Sequence, residues 1–354
     1  MGSHKVTHSL AKWISLQLLS TFFALSAFAQ EANDPGVYLG FIGAQYDQIS
    51  ESMMSYTSAA AHGKGARKVE KRRVELLQQV KESERNVRRM KPFQKETRLR
   101  DSVVSYFNLC YHVLNEDYAK ILNMEEIAEQ SYDLMEAYLL AKELAESKLD
   151  SAAERAGAEY KAFAASNGIK LIEGSSKVAD KMKIAGKVNA YQKELFLVYF
   201  KSYKNELYFL EAVSKGNVSA MEQSISALKA STDEALAKLT KIQTYNGDGS
   251  LRNSCQELIR FYQRETRTHF PAIVDFEIKK ENLVKMQKAV EAKRPAERTQ
   301  EEINALNAAI KEYNNLGNKI NAMGEEGNKT RSTLINTWNS RVDGFFDKYT
   351  PRHR

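Results

Sequence analysis

Only five prolines interrupt the 354 residues, and four of them (Pro35, Pro92, Pro295, Pro351) stand where the apolar periodicity breaks. Alternating Val, Ile and Thr runs bounded by turns are missing too, which argues against strands. Cysteine occurs twice, at Cys110 and Cys255, so zinc-type spacing is absent and a single disulfide is the most that could form. Six histidines shrink to three interior ones, His62, His112 and His269, because His4 and His8 fall in the leader and His353 in the tail. His112 with Glu116, and Glu265 with His269, each share a helix face, but neither is the Glu-x-x-His motif that a di-metal bundle pairs across two helices. There is no Gly-x-Ser-x-Gly nucleophile elbow and no phosphate-binding P-loop. The sequence therefore assigns no catalytic residue, no metal site and no cofactor. Beyond the leader no stretch is apolar enough to span a membrane.

What is present begins with an address. Lys5 and Lys12 make a positive start, Trp13 to Leu25 is a short apolar run, and Ala27-Phe28-Ala29 offers small residues for cleavage before Gln30. Residues 1–29 read as a signal peptide without a lipidation cysteine, placing the mature chain in the periplasm or at the outer membrane or cell surface of a Gram-negative bacterium. Losing two lysines with the leader takes the net charge from +7 to +5, and an exported chain so mildly basic is not expected to bind nucleic acid.

Long stretches rich in Ala, Leu, Glu and Lys, with apolar residues three and four apart, predict an all-α protein. Leu99 to Glu125 returns 152 residues later as Leu251 to Glu277, with Leu99/Leu251, Arg100/Arg252, Ser102/Ser254, Ile121/Ile273 and Glu125/Glu277 identical. The fold expected is two tandem, duplicated, up-down four-helix bundles of long helices, the first over 30–166, a linker over 167–175 and the second over 176–354. The predicted helices start at Asp34-Pro35, after Gly65, at about Phe93, at Asn123, near Ser176, after Asn217, at Leu251, at Thr299 and at Asn328, the last two separated by Gly324-Glu325-Glu326-Gly327. Pro271 should kink or break the helix that begins at Leu251. Aromatics concentrated from Tyr191 to Phe209 read as core. Under the repeat, Cys110 aligns with Tyr262 and Cys255 with Val103, both apolar-type positions, so two buried free thiols in separate bundles are expected.

One stretch stands out chemically. From Lys64 to Arg100 there are fourteen Lys and Arg against five acids, and cations in the first turns of a helix oppose its dipole. Two readings follow. Either the acid-rich segment Glu116 to Glu159 faces this helix as its charge complement, or His62, Gly63, Lys64, Gly65, Arg67, Lys68 and Arg72 form an anion- or partner-binding site for an anionic lipid, lipopolysaccharide or an acidic protein. The equivalent turn in the second half, Ser214-Lys215-Gly216-Asn217, lacks the basic run.

Tyr56-Thr57-Ser58-Ala59-Ala60-Ala61-His62-Gly63-Lys64-Gly65-Ala66-Arg67-Lys68-Val69-Glu70-Lys71-Arg72-Arg73 resembles the opening motif of the LIC-type surface proteins, an uncharacterised family named from Leptospira and common in Bacteroidota. The resemblance covers about residues 35 to 90 and implies an envelope or surface location and an all-helical build, with no activity or cofactor attached. The function expected is a non-enzymatic envelope protein that is structural or binds a partner. The alternatives are a periplasmic binder of a small anionic or lipidic ligand and an enzyme of unrecognised type.

Overall fold

A computed structural model describes residues 34–62, 66–117, 132–171 and 177–353. The expected signal peptide, Gly63-Lys64-Gly65 and the expected Asn123 cap lie outside the described residues. Among those described, the chain is all helical, with two isolated β-bridges, and no helix is long and apolar enough to cross a membrane. The helices are α1 Pro35–Ala61, α2 Ala66–Arg88, α3 Arg98–His112, α4 Tyr132–Ser166, α5 Lys177–Ser214, α6 Val218–Lys241, α7 Ser250–Glu265, α8 His269–Glu291 and α9 Gln300–Tyr349.

Their ends follow from local chemistry. Asp34 accepts hydrogen bonds from the Gly36 and Val37 amides just before Pro35, whose missing N–H costs nothing at a helix start. Asn217 caps α6 by accepting from the Ala220 amide at 3.0 Å. Thr299 and Glu302 cap α9 reciprocally, each side chain taking the other's backbone N–H. The break expected at Pro271 is present: α7 ends at Glu265, and Pro271 falls in the first turn of α8, where it needs no partner.

Two expectations are corrected. Phe93 does not begin a helix; it pairs with Glu96 in a tight turn, and α3 starts five residues later. Gly324 and Gly327 do not separate two helices, because α9 is continuous over 50 residues. Glycine inside a helix costs about 1 kcal/mol relative to alanine, and here it provides clearance: a Cβ on Gly327 would stand 3.2 Å from Glu265 Oε2.

The described chain forms two compact units. One runs up to Lys193 and takes back the chain from Asp343 onward; the other is Glu194–Val342. The division thus falls within α5 and α9 and not in the 167–175 segment, since both helices are long enough to serve two cores.

In the first unit α1 packs on α2, α2 on α3 and α3 on α4, with α4 touching α1. Its core includes Ile42, Ile49, Met53, Leu76, Val80, Val103 and Phe107. At one end Tyr38, Phe93 and Phe163 meet with ring centroids 5.1–5.5 Å apart. In the second unit α6 packs on α7 and α8. Phe209 stacks on Phe270 at 3.9 Å and Tyr199 lies against Trp338 at 5.6 Å. Tyr199, Phe200 and Phe209 are buried, as the core reading of that aromatic stretch requires. Cys110 and Cys255 are free, buried and one to each unit, with desolvation pushing both thiols up to about 12.

Candidate functional site

The predicted basic site divides three ways. His62, at the end of α1, is turned inward: its Nδ1 meets Asp347 Oδ1 at 2.7 Å and only 2 % of its side chain is exposed. That hydrogen bond is the main reason the Asp347 carboxyl sits below its ordinary value. Beside it the Ser58 hydroxyl accepts from the His353 amide at 3.1 Å, and His353 reaches Glu51 at 3.4 Å. The run Thr57-Ser58-Ala59-Ala60-Ala61 is buried throughout. Small residues there admit the end of the chain, so this part of the motif is a seat for the C-terminal segment.

Arg72 is also engaged, with Glu75 at 2.6 Å, and its neighbour Arg73 makes two bonds of 2.9 Å to Glu70. Both pairs lie three residues apart on one helix, a spacing readable in the sequence. Most of the acids of the Glu116 to Glu159 segment lie outside the residues whose side chains are described; the ion pairs that α2 makes among the described residues, Lys71 and Arg72 with Glu75, Arg73 with Glu70 and Arg88 with Glu84, are formed within α2. Arg67 and Lys68 remain, both exposed and forming no ion pair with a described residue. Gly63, Lys64 and Gly65 lie outside the described residues, so the full set is not seen together.

A second cluster, in the Glu194–Val342 unit, is buried. Glu206 on α5 is 0 % exposed and receives Arg331 Nε from α9 at 2.6 Å. Arg331 also stands 3.9 Å from Glu265 Oε2 at the end of α7, which in turn lies 3.1 Å from His269 Nδ1 at the start of α8. Burial pushes the Glu206 carboxyl up to about 7, against the opposing pull of Arg331. Burial also raises the Tyr262 hydroxyl well above its ordinary range. Among the described residues, Glu206 Oε2, Tyr262 Oη and His269 Nε2 are buried without a hydrogen-bond partner. Sequence spacing paired Glu265 with His269 but could not reach Arg331, which is 125 residues from Glu206.

The places of Glu206, Tyr262 and Glu265 hold apolar residues in the first unit, whereas that of His269 is Asp117. At the repeat offset Tyr262 corresponds to Cys110 and Glu265 to Val113; between α5 and α1 the burial pattern registers at 153, with Leu195 over Ile42, Phe209 over Tyr56 and Glu206 over Met53. Neither cluster is a metal centre: among the described residues no group of three or more His, Cys, Asp or Glu is placed to hold an ion. Compared with known proteins, the chain matches no family model, no curated protein and no solved structure.

Proposed function

We propose that the protein is an exported, non-enzymatic component of a Gram-negative cell envelope that acts by binding a partner through its helical surface, with the start of α2 as the contact for an anionic one. The observation that carries this reading is the contrast within the basic run. Arg72 and Arg73 are paired on their own helix and the His62 side chain is buried, whereas Arg67 and Lys68 are exposed and form no ion pair with a described residue. Exposed cations beside a helix start favour phosphate or carboxylate groups of a lipid headgroup, lipopolysaccharide or an acidic protein. The leader and the resemblance to LIC-type surface proteins support the envelope location.

The experiment is co-sedimentation of the mature chain with vesicles containing anionic lipid, parent against a Lys64→Gln, Arg67→Gln, Lys68→Gln variant. The variant should be retained less at low salt, and raised salt should bring the parent down to it. Equal retention at low salt would remove the site.

We also infer that the two units are tandem copies of one helical plan. Its support is a set of local geometries that recur at the 152-residue offset. Phe93 bridges Glu96 as Tyr245 bridges Asp248. Gln94 and Lys95 have positive φ, as do Asn246 and Gly247. Arg100 donates to the Met90 carbonyl at 3.2 Å and Arg252 to the Ile242 carbonyl at 3.1 Å. The α-helical ladder changes at Val113–Asp117 in one and stops between Glu265 and His269 in the other.

A further inference from the structure

The second unit carries an arm. The turn between α5 and α6 reaches only as far as Glu277, whose Oε2 lies 3.8 Å from where a Cβ of Gly216 would stand. Beyond that level α8 continues for 14 residues to Glu291, an overshoot of about 21 Å at 1.5 Å per residue. It returns as α9, with Phe276 stacked on Tyr313 at 4.6 Å and Lys279 bonded to Glu312 at 2.8 Å at the base, and Lys293 paired with Glu302 near the tip.

This hairpin has an apolar seam but too little to cover it. Ile303, Leu306, Ile310, Tyr313, Leu316 and Ile320 recur three and four residues apart on α9, and each stays partly exposed, whereas Trp338 farther along the same helix is 4 % exposed. On α8 Ile278 and Val284 are 38 % and 42 % exposed. Two helices bury one narrow stripe each; four bury a full core.

The charges indicate what supplies the other two. Residues 278–294 hold six Lys and Arg against two acids, net +4, while residues 295–312 hold four acids against two bases, net −2. One helix of the arm is basic and the other acidic. A two-fold axis that sets two such arms side by side brings the basic helix of each onto the acidic helix of the other, and an isologous contact of this kind is self-complementary. We infer that the arm is a dimerisation element, its occupant a second copy of this chain, the two hairpins closing into an intermolecular four-helix bundle.

Charge reversal on the full mature chain, followed by sedimentation velocity at micromolar concentration, tests this. Lys280→Glu, Lys285→Glu and Lys288→Glu together turn the basic helix from +4 to −2. Glu297→Lys and Glu301→Lys together turn the acidic one from −2 to +2. The parent should be a dimer that weakens with salt, each single-face variant a monomer, and an equimolar mixture of the two a heterodimer. A variant reversing both faces should dimerise again, which separates lost pairing from lost folding. A monomeric parent, or single-face variants that dimerise like the parent, would overturn the assignment.

Discussion

The two units treat one position differently, and the difference separates what the helical plan needs from what has been added to it. Where α1 has Met53, α5 has Glu206; where α3 has Cys110 and the chain continues to Val113, α7 has Tyr262 and Glu265. At these three positions one unit has apolar side chains and the other two carboxylates and a tyrosine, with Arg331 and His269 beside them out of water. Because the first unit packs without them, the charges are not demanded by the architecture. Buried ion pairs are weak contributors to stability, since desolvation offsets most of their attraction, yet breaking one partner away is costly. The charged version therefore gives the second unit a dependence on pH that the first lacks at this place.

The largest effect should come from removing the cation that holds this cluster together. Arg331→Met leaves Glu206 and Glu265 without their shared counter-charge, and at neutral pH the second unit should lose about 3–5 kcal/mol in denaturant melts. The loss should shrink as pH falls below about 7, where Glu206 is protonated in the fold. The parent itself should show the matching slope. With Glu206 near 7 in the fold and near 4.5 unfolded, the native state keeps a proton that the unfolded chain has released between these values. Its contribution to stability therefore falls as pH rises through that window and is flat above it.

A smaller and paired effect tests the likeness of the units. Arg100→Met and Arg252→Met each remove a guanidinium bond to the carbonyl ending the preceding helix. Each should cost about 1.5 kcal/mol, and calorimetry should find the two losses alike. A loss confined to one unit would break the comparison at its best-matched turn.

The smallest effect lies in the turns themselves. Lys95 has φ 74° and Gly247 φ 80°, a left-handed conformation in which a side chain is strained. Lys95→Gly should stabilise the first unit by about 1 kcal/mol and Gly247→Ala should destabilise the second by a similar amount. Opposite shifts in thermal melts would sharpen the likeness, and shifts of the same sign would contradict it.

How much of this was readable in advance depends on the distance over which each feature is written. The all-helical build, the caps at Asp34, Asn217 and Thr299 and the break before Pro271 are local, and sequence spacing located them. The 152-residue echo was visible because Leu99, Arg100 and Ser102 recur as Leu251, Arg252 and Ser254. The matching turns before them were not, because Phe93-Gln94-Lys95-Glu96 and Tyr245-Asn246-Gly247-Asp248 have no residue in common and are alike only in type, an aromatic, an amide and a final acid. Gly324 and Gly327 misled for a physical reason: a helix stop and a close helix approach both call for glycine, and only the position of Glu265 distinguishes them. The basic run is legible as charge, and the Arg72 and Arg73 pairings at i,i+3 are local enough to be read from the same stretch. Burial of His62 could not be foreseen, since its partner Asp347 is 285 residues away.

The most direct test converts the second unit's cluster into an apolar core like that of the first: Glu206→Met, Glu265→Met, His269→Leu and Arg331→Met in one chain. If the shared plan folds without the charges, this variant should remain a cooperatively folding helical protein, as stable as the parent at neutral pH or up to about 4 kcal/mol more so. It should also lose the fall in stability between pH 4.5 and 7 in equilibrium unfolding. A variant several kcal/mol less stable than the parent, or one that keeps the parent's pH slope, would contradict the account.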